Sequence, residues 1–255
     1  MSFFEAIILG LIQGLTEFLP ISSSGHLVIL SNVLGVNEQG ILFEVFVHFG
    51  TLLAVFVVFK DDIIKLIKNP FQKLTILLII GTIPTAIIGL TLEDTFERLF
   101  NSLFTVGFTL LITGALLWLA ESFTGGKKDL SKLTGINAFI IGIAQGAAIT
   151  PGISRSGSTI AAALLLGLDR SSAARYSFLL SIPAILGATV LKTKDLIVGI
   201  GEVRLLPLMA GTVMAALSGY FAIKLLLKIL EQGKLKYFSV YCWLLGGIII
   251  FYHII

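Results

Sequence analysis

The sequence has little charge and little cysteine. Of its 255 residues, 13% are charged and 56% are hydrophobic, whereas a soluble domain carries about 25% charged residues. The net charge of +3 is too small to indicate a nucleic-acid-binding protein. The single cysteine, Cys242, excludes an intrachain disulfide and a cysteine metal cluster. The composition, with a mean hydropathy of +1.00, instead predicts an all-α polytopic membrane protein.

Polar breaks interrupt two of the long apolar runs. The stretches QGLTEFLPISSSGHL (13–27) and PGISRSGST (151–159) carry charged, hydroxyl-bearing and helix-breaking residues. Such backbone is tolerated at membrane depth only where it is buried in protein or lines a cavity. We therefore predict two re-entrant helical hairpins, 3–36 and 135–168, each of which enters and leaves on one face. Six transmembrane helices account for the remaining apolar runs.

The two halves of the chain resemble each other. The matches are QG (13–14) with QG (145–146) and ISSSG (21–25) with ISRSG (153–157), both at an offset of 132, and GTIPTAIIGL (81–90) with GTVMAALSGY (211–220) at an offset of 130. They predict one integral membrane domain (1–255) built from a first repeat (1–120) and a second repeat (135–255). Each repeat holds one hairpin and three spans. Because three is odd, the second repeat is inverted, as in many membrane proteins that handle polar substrates.

Basic residues are concentrated on one face of the predicted bundle. Thirteen lysines and arginines fall on that face and four on the opposite face. The thirteen lie in segments 60–73, 121–134, 169–175 and 224–236, and the four are Arg98, Lys192, Lys194 and Arg204. Because basic loops stay cytoplasmic, both termini are predicted to lie outside. The first hairpin then enters from the outside, the second enters from the cytoplasm, and the two tips meet inside the bundle.

The second break has the composition of a phosphate-binding site. Arg155 needs an anionic partner at membrane depth, and small or hydroxyl-bearing residues surround it. A guanidinium, hydroxyls and a helix N-terminus, expected near Ser158, together suit a phosphate. The candidate ligands of the phosphate are Gly152, Ser154, Arg155, Ser156 and Thr159. The alternative is that Arg155 pairs with Glu17 as a structural lock.

The first break supplies groups that could act on a bound phosphate. Gln13 and Glu17 are four residues apart and share a helix face, and Glu17 could serve as a base, a nucleophile or a metal ligand. His26 exchanges protons near neutral pH. His48 and Glu44 share another helix face, as a supporting polar pair or an ordinary interhelical contact.

The repeat alignment places the serine tip across from the arginine tip. Ser22, Ser23 and Ser24 align with Ser154, Arg155 and Ser156. The hydroxyls of the serine tip can hold a phosphate or attack it. We expect Ser23 to be the attacking group, with His26 as its proton partner. Water activated by Glu17 or His26 is the alternative.

These motifs resemble the two signature regions of the bacterial undecaprenyl-diphosphatase family, the bacitracin-resistance phosphatases. The first signature is met by Gln13 and Glu17, and the second, Pro-Gly-x-Ser-Arg-Ser-x-x-Thr, by residues 151–159. The resemblance implies hydrolysis of undecaprenyl diphosphate to undecaprenyl phosphate and inorganic phosphate in the bacterial cytoplasmic membrane. That reaction recycles the carrier lipid for peptidoglycan synthesis and confers bacitracin resistance. Many members carry Glu where this chain has Gln13. Because glutamine cannot ionise, Glu17 alone would have to act as the acid, base or metal ligand at that face.

The resemblance also implies roles for individual residues. Arg155 would neutralise charge on the transferring phosphoryl group, and the hydroxyls of Ser154, Ser156 and Thr159 would orient its oxygens. His26 would shuttle a proton. A divalent cation, Mg²⁺ or Ca²⁺, is implied as cofactor, with Glu17 as its candidate ligand. The site would open to the outer side of the membrane.

Two other functions fit the residues alone. A transporter, such as a flippase of an anionic prenyl lipid or solute, would also use inverted repeats with broken helices. An intramembrane serine protease could use Ser24 or Ser156 with His26. The expected partners are a prenyl diphosphate substrate and membrane lipid, and not nucleic acid. A homodimer is left open.

Overall fold

Helices make up the regular structure of this computed structural model, which describes residues 1–34, 41–100, 102–123, 126–196 and 205–254. They are α1 (Phe3–Phe18), α2 (Ser23–Leu34), α3 (Ile41–Val58), α4 (Lys60–Lys68), α5 (Lys73–Thr91), α6 (Glu93–Phe100), α7 (Leu103–Ser122), α8 (Gly135–Ala147), α9 (Arg155–Leu165), α10 (Arg170–Leu196), α11 (Leu205–Glu231) and α12 (Lys236–Ile254). A 3₁₀ turn, Leu130–Lys132, precedes α8. No β-strand occurs within the described ranges.

Several helices have the length and apolarity of membrane spans. Among the described residues, α5, α7, α10, α11 and α12 are long and apolar enough to cross a membrane. Helix α3 is also apolar and turns by 84° into α4, so the pair adds a sixth when it is counted as one span. The prediction of an all-helical, multi-pass membrane protein is confirmed. The end of the first predicted hairpin, residues 35–36, lies outside the described residues, as does Arg204.

The basic segments are partly helical. Residues 60–73 contain α4, an amphipathic helix with no buried residue. Residues 169–175 contain the start of α10, where Asp169 Oδ1 accepts the N–H of Ser172 at 2.8 Å, and α11 continues into the fourth basic segment. Lysines on the exposed face of a helix lower the local hydropathy as they do in a loop. Hydropathy therefore could not separate these helices from loops.

Glycines bring two pairs of helices to backbone contact. A Cβ added to Gly10 of α1 would lie 2.2 Å from the carbonyl oxygen of Gly211 in α11. A Cβ added to Gly142 of α8 would lie 2.0 Å from the carbonyl oxygen of Gly81 in α5. Only glycine permits these approaches, which membrane helices use widely. Each contact joins a helix from residues 1–120 to one from residues 135–255.

Ion pairs fasten the helix ends beside the basic segments. Glu121, which is buried at the end of α7, accepts a hydrogen bond from Arg170 at 2.6 Å and another from the backbone N–H of Leu235 at 2.8 Å. Arg175 pairs with Asp62 of α4. Because a buried carboxylate is costly unless it is paired, the Glu121 cluster fixes α7, α10 and the start of α12 to one another.

Candidate active site

The two polar breaks end in the same type of serine cap, although the backbone of Ser22 is left-handed and that of Ser154 is extended. Ser22 precedes α2, and its Oγ accepts the N–H of Gly25 at 3.2 Å. Ser154 precedes α9, and its Oγ accepts the N–H of Gly157 at 3.1 Å. In both turns the serine satisfies a backbone donor that the first turn of a helix leaves without an intrahelical acceptor. The two breaks thus end in matching helix N-termini.

Ser23 and Arg155 are consequently the first residues of α2 and α9. The sequence-based expectation that the second helix starts near Ser158 is wrong, because the serine cap starts it three residues earlier. The next hydroxyls also correspond: Ser24 Oγ and Ser156 Oγ each lie 3.2 Å from the capping serine of their own turn.

Glu17 is the point at which the two tips converge. Its side chain is buried near the end of α1. Ser23 Oγ donates to Oε2 at 2.6 Å, and Arg155 Nη2 donates to Oε1 at 2.6 Å. Gln13 Nε2, one turn earlier on α1, also donates to Oε2, at 3.0 Å. These bonds satisfy a carboxylate that would otherwise be very costly at membrane depth.

The Arg155–Glu17 pair leaves part of the guanidinium unused. The structure contains the ion pair that the sequence analysis held as an alternative. Arg155 Nη1, however, is buried and has no hydrogen-bond partner among the described residues. Since a guanidinium has five donors in a planar fork, Arg155 can hold Glu17 and still bind an anion.

His48 adds a third group beside the carboxylate. Its Nδ1 donates to the backbone carbonyl of Glu44 at 2.8 Å, and its Nε2 lies 3.8 Å from Glu17 Oε2. The sequence indicated only the Glu44–His48 spacing. The approach to Glu17 depends on how α3 packs against α1, which the local pattern does not contain.

His26 is bonded away from Ser23. Its Nδ1 lies 2.7 Å from the backbone carbonyl of Ser22, and its Nε2 lies 2.6 Å from the hydroxyl of Tyr241 on α12. The hydroxyl of Ser23 meets Glu17 instead. In this arrangement Glu17 is the base within reach of Ser23, whereas the sequence analysis expected His26 there.

Two threonines of α7 hold the arginine tip in place. Thr109 Oγ1 donates to the carbonyl of Pro151 at 2.5 Å, and Thr113 Oγ1 donates to the carbonyl of Gly152 at 2.9 Å. Thr113 Oγ1 also accepts the N–H of Ser154 at 3.1 Å. Gly152 has a φ of +87°, and a Cβ there would meet Thr109 Oγ1 at 2.0 Å, so this tip requires glycine. Neither threonine belongs to a motif that could be recognised in the sequence.

The remaining hydroxyls of the second break are bonded within the protein. Ser156 Oγ donates to the carbonyl of Leu19 at 3.3 Å. Thr159 Oγ1 donates to the carbonyl of Arg155 at 2.9 Å and lies 2.5 Å from Ser177 Oγ. Both side chains are fully buried. In this structure they fix α9 against its neighbours, beside the phosphate-orienting role expected from the sequence.

Few residues here could hold a metal ion by themselves. Within the described ranges, no group of three or more His, Cys, Asp or Glu side chains is placed to bind one. Gln13 Oε1 is buried without a partner in the same ranges, and the other end of its amide bonds to Glu17. Amide and carboxylate oxygens are ligands that Mg²⁺ and Ca²⁺ accept. These two residues fit a cation that takes its other ligands from a phosphate and water.

Sequence comparisons identify the family to which this chain belongs. A model of the family described as bacitracin resistance protein BacA matches residues 6–248. The chain belongs to the BacA family. An undecaprenyl-diphosphatase of Halothermothrix orenii is 54% identical over 253 residues, which cover 98% of each chain.

Two further relatives of this BacA-family chain are similar over nearly their whole length. An undecaprenyl-diphosphatase of Carboxydothermus hydrogenoformans is 52% identical over 249 residues, which cover 96% of this chain and 95% of the relative. An undecaprenyl-diphosphatase 4 of Bacillus thuringiensis is 49% identical over 251 residues, which cover 98% and 97%. The matched region includes both tips and Glu17.

Proposed function

We propose that this protein is a membrane phosphatase that hydrolyses undecaprenyl diphosphate to undecaprenyl phosphate and inorganic phosphate. The observation that carries the proposal is the convergence of Ser23 and Arg155 on Glu17. A hydroxyl, a base and a cation with a spare donor are the parts that phosphoryl transfer needs. The names of the relatives supply the lipid substrate. The reaction would recycle the carrier lipid for peptidoglycan synthesis and confer bacitracin resistance.

For the architecture we propose two inverted repeats, 1–120 and 135–255, each with one re-entrant hairpin and three spans. The matching serine caps of α2 and α9 support the repeat. So do the glycine contacts, because Gly10 aligns with Gly142 and Gly211 aligns with Gly81 at the two offsets found in the sequence. The concentration of basic residues on one face supports our proposal that both termini, and the mouth of the site, lie on the outer side of the bacterial cell membrane.

The terminal phosphate of the substrate would bind between the two helix N-termini. Arg155 Nη1 is the donor left for it. The first backbone N–H groups of α2 and α9 and the positive ends of their helix dipoles favour an anion at the same place. The phosphate would thereby lie between Arg155 and the hydroxyl of Ser23.

The chemistry would proceed in two displacements. In the first, Ser23 Oγ attacks the terminal phosphorus, its proton passes to Glu17, and the bond from that phosphorus to the bridging oxygen breaks, which releases undecaprenyl phosphate. Glu17 then loses this proton to solvent. In the second, water attacks the phosphoserine and gives a proton to Glu17. The Oγ–P bond breaks, and Ser23 recovers its proton from Glu17.

The divalent cation that the family resemblance implies would be held by Gln13 Oε1 and Glu17. A bound cation offsets negative charge on phosphate oxygens. Gln13 contributes separately to the reaction, because its Nε2 donates to Glu17 and so holds the carboxylate toward Ser23. His48 Nε2 lies on the same side of Glu17, 3.8 Å from Oε2.

Phosphate release from undecaprenyl diphosphate by the purified protein in detergent tests the proposal. Detergent has no compartments, so a transporter would release nothing. The Arg155→Ala variant is expected to lose about a hundredfold or more of kcat, the usual cost of removing a group that stabilises transition-state charge. Exposed Arg98 provides the matched control, Arg98→Ala, with unchanged turnover.

Arg155→Ala also strips a buried carboxylate of its ion pair, which can prevent folding. Arg155→Lys retains the charge but lacks the planar fork, and it should fold while losing most activity. A wild-type protein that releases no phosphate and moves the lipid between leaflets would establish the transporter in place of the phosphatase. Cleavage of membrane peptides would establish the protease.

A further inference from the structure

A histidine–tyrosine pair lies beside the serine tip. His26 and Tyr241 are 215 residues apart in the chain, and Nε2 of the imidazole lies 2.6 Å from the phenol oxygen. Their rings are nearly parallel, with an interplanar angle of 7° and centroids 5.7 Å apart, and they meet edge to edge through this hydrogen bond. Tyr241 comes from α12, which is distant in the chain from α2. The hydrogen bond restrains the position of the imidazole.

The partners of His26 determine its tautomer. The backbone carbonyl of Ser22, 2.7 Å from Nδ1, can only accept a hydrogen bond. Nδ1 therefore carries the proton, and Nε2 accepts from the hydroxyl of Tyr241. This gives an ordered chain in which Tyr241 donates to His26 and His26 donates to Ser22.

The chain of hydrogen bonds from Tyr241 ends at Ser22, whose backbone is strained. Ser22 has a φ of 69°, the left-handed conformation, and it is the only non-glycine residue with positive φ among the described residues. Such a conformation persists where neighbouring groups hold it. The carbonyl of Ser22 accepts both the ring Nδ1–H and the backbone N–H of His26, the latter at 3.2 Å. The peptide after this carbonyl leads directly into Ser23.

We propose that Tyr241 is a positioning residue of the active site, which acts through His26 to hold the strained Ser22 turn so that the hydroxyl of Ser23 points at Glu17. The inference rests on the proposed phosphatase function for its kinetic consequences. It gives His26 a bracing role in place of proton transfer to Ser23. It also gives α12 a part in a site that is built from α1, α2, α3 and α9 and supported by α7.

Tyr241→Phe tests the inference with a minimal change. The variant retains the aromatic ring and loses the hydroxyl. We expect kcat to fall about five- to tenfold, the effect of losing one hydrogen bond, with KM unchanged because phosphate binding is untouched. Tyr237→Phe, an exposed tyrosine on the same helix, should behave as wild type. A Tyr241→Phe protein with wild-type kcat would overturn the inference.

His26 variants separate bracing from proton transfer. Asparagine places an amide N–H near the position of Nδ1 and can donate to the Ser22 carbonyl, but it cannot shuttle protons at neutral pH. His26→Asn should therefore retain clearly more activity than His26→Ala. In the His26→Ala background, adding Tyr241→Phe should have no further effect, since the two residues act through one chain. Equal inactivity of His26→Asn and His26→Ala would contradict bracing.

A chemical readout tests the contact independently of turnover. Diethyl pyrocarbonate acylates histidine at an unprotonated ring nitrogen, and Nε2 of His26 is occupied by its hydrogen bond with the hydroxyl of Tyr241. Acylation of His26, measured by peptide mass spectrometry relative to His253, should rise severalfold in Tyr241→Phe. Equal acylation in both proteins would refute the contact. If the wild-type protein has no phosphatase activity but acylation of His26 still rises in Tyr241→Phe, the proposed function is refuted and the contact between His26 and Tyr241 is supported.

Discussion

Ser23 and Arg155 donate to opposite oxygens of one carboxylate, each over 2.6 Å and each from the first residue of a helix. They are also counterparts in the sequence, 132 residues apart. One kind of serine cap, used twice, thus presents a hydroxyl from one side and a guanidinium from the other. The two helix N-termini provide the frame, and the difference between serine and arginine at one position provides the chemistry.

Replacement of Ser23 should abolish turnover if its hydroxyl attacks the phosphate. We expect Ser23→Ala to lower kcat by at least about a hundredfold, because it removes the nucleophile while Arg155 remains paired. Ser23→Thr retains a hydroxyl and should keep part of the activity. Acid-quenched wild-type protein should yield a phosphoserine-23 peptide by mass spectrometry. Near-normal turnover of Ser23→Ala, with no phosphopeptide in the wild type, would assign the attack to activated water.

Gln13→Glu should keep the protein active and change its cation requirement. The new carboxylate would lie close to Glu17 Oε2, where Gln13 Nε2 is now 3.0 Å away. Two carboxylates so close bind a cation or share a proton, because both cannot ionise freely. Half-maximal activity should therefore need less Mg²⁺ than in the wild type, as measured by phosphate release across a Mg²⁺ titration.

The control for this pair compares two alanine variants. Gln13→Ala should lose less activity than Glu17→Ala, because Gln13 positions the carboxylate whereas Glu17 takes the proton. A fully active Glu17→Ala protein beside an inactive Gln13→Glu protein would show that the roles within the pair are reversed.

The sequence predicted the parts of the site that are close together in the chain or related by the repeat. The spacing of Gln13 and Glu17 placed them on one helix face, and the repeat placed Ser23 across from Arg155. His48 and Tyr241 reach the site through the packing of α3 and α12. Such contacts between distant helices leave no local pattern in a sequence in which most residues are apolar.

The helix boundaries in the basic segments could also not be predicted from the sequence. Helix α4 lies in segment 60–73, which the sequence analysis treated only as a basic segment between two spans. An amphipathic helix and a charged loop have similar average hydropathy over such a short window. The membrane spans, by contrast, are long enough for the average to identify them.

The backbone contacts at glycine predict a selective loss of stability. Gly142→Ala would place a Cβ 2.0 Å from the Gly81 carbonyl oxygen, and we expect destabilisation of about 1–3 kcal/mol from overpacking. Gly247→Ala is the matched control, because a Cβ on this helical glycine meets nothing within 4 Å. It should be neutral or stabilise by up to about 1 kcal/mol through helix propensity. Thermal unfolding in detergent measures both, and equal melting temperatures would refute the close contact.

Cysteine labelling tests the orientation in the membrane. In a Cys242→Ala background, Lys127→Cys should react with a membrane-impermeant maleimide only from the cytoplasm, because thirteen basic residues lie on its face against four opposite. Glu38→Cys, at a position outside the described residues, should react from the outside. Reversed labelling would invert the topology. Reaction of both positions from the same side would refute the two-hairpin arrangement.

The glycine contacts also constrain how this molecule can move. Helix α1 packs closely against α11, and α8 packs closely against α5. Each half of the chain therefore has a helix in close contact with a helix of the other half. Transport by alternating access commonly swings one repeat as a rigid body against its partner. Such a swing would have to separate both helix pairs at once and break two close backbone contacts. A bundle whose two halves are joined by these two helix pairs is therefore suited to keeping a reaction centre rigid. A lipid would have to reach that centre through local openings between helices.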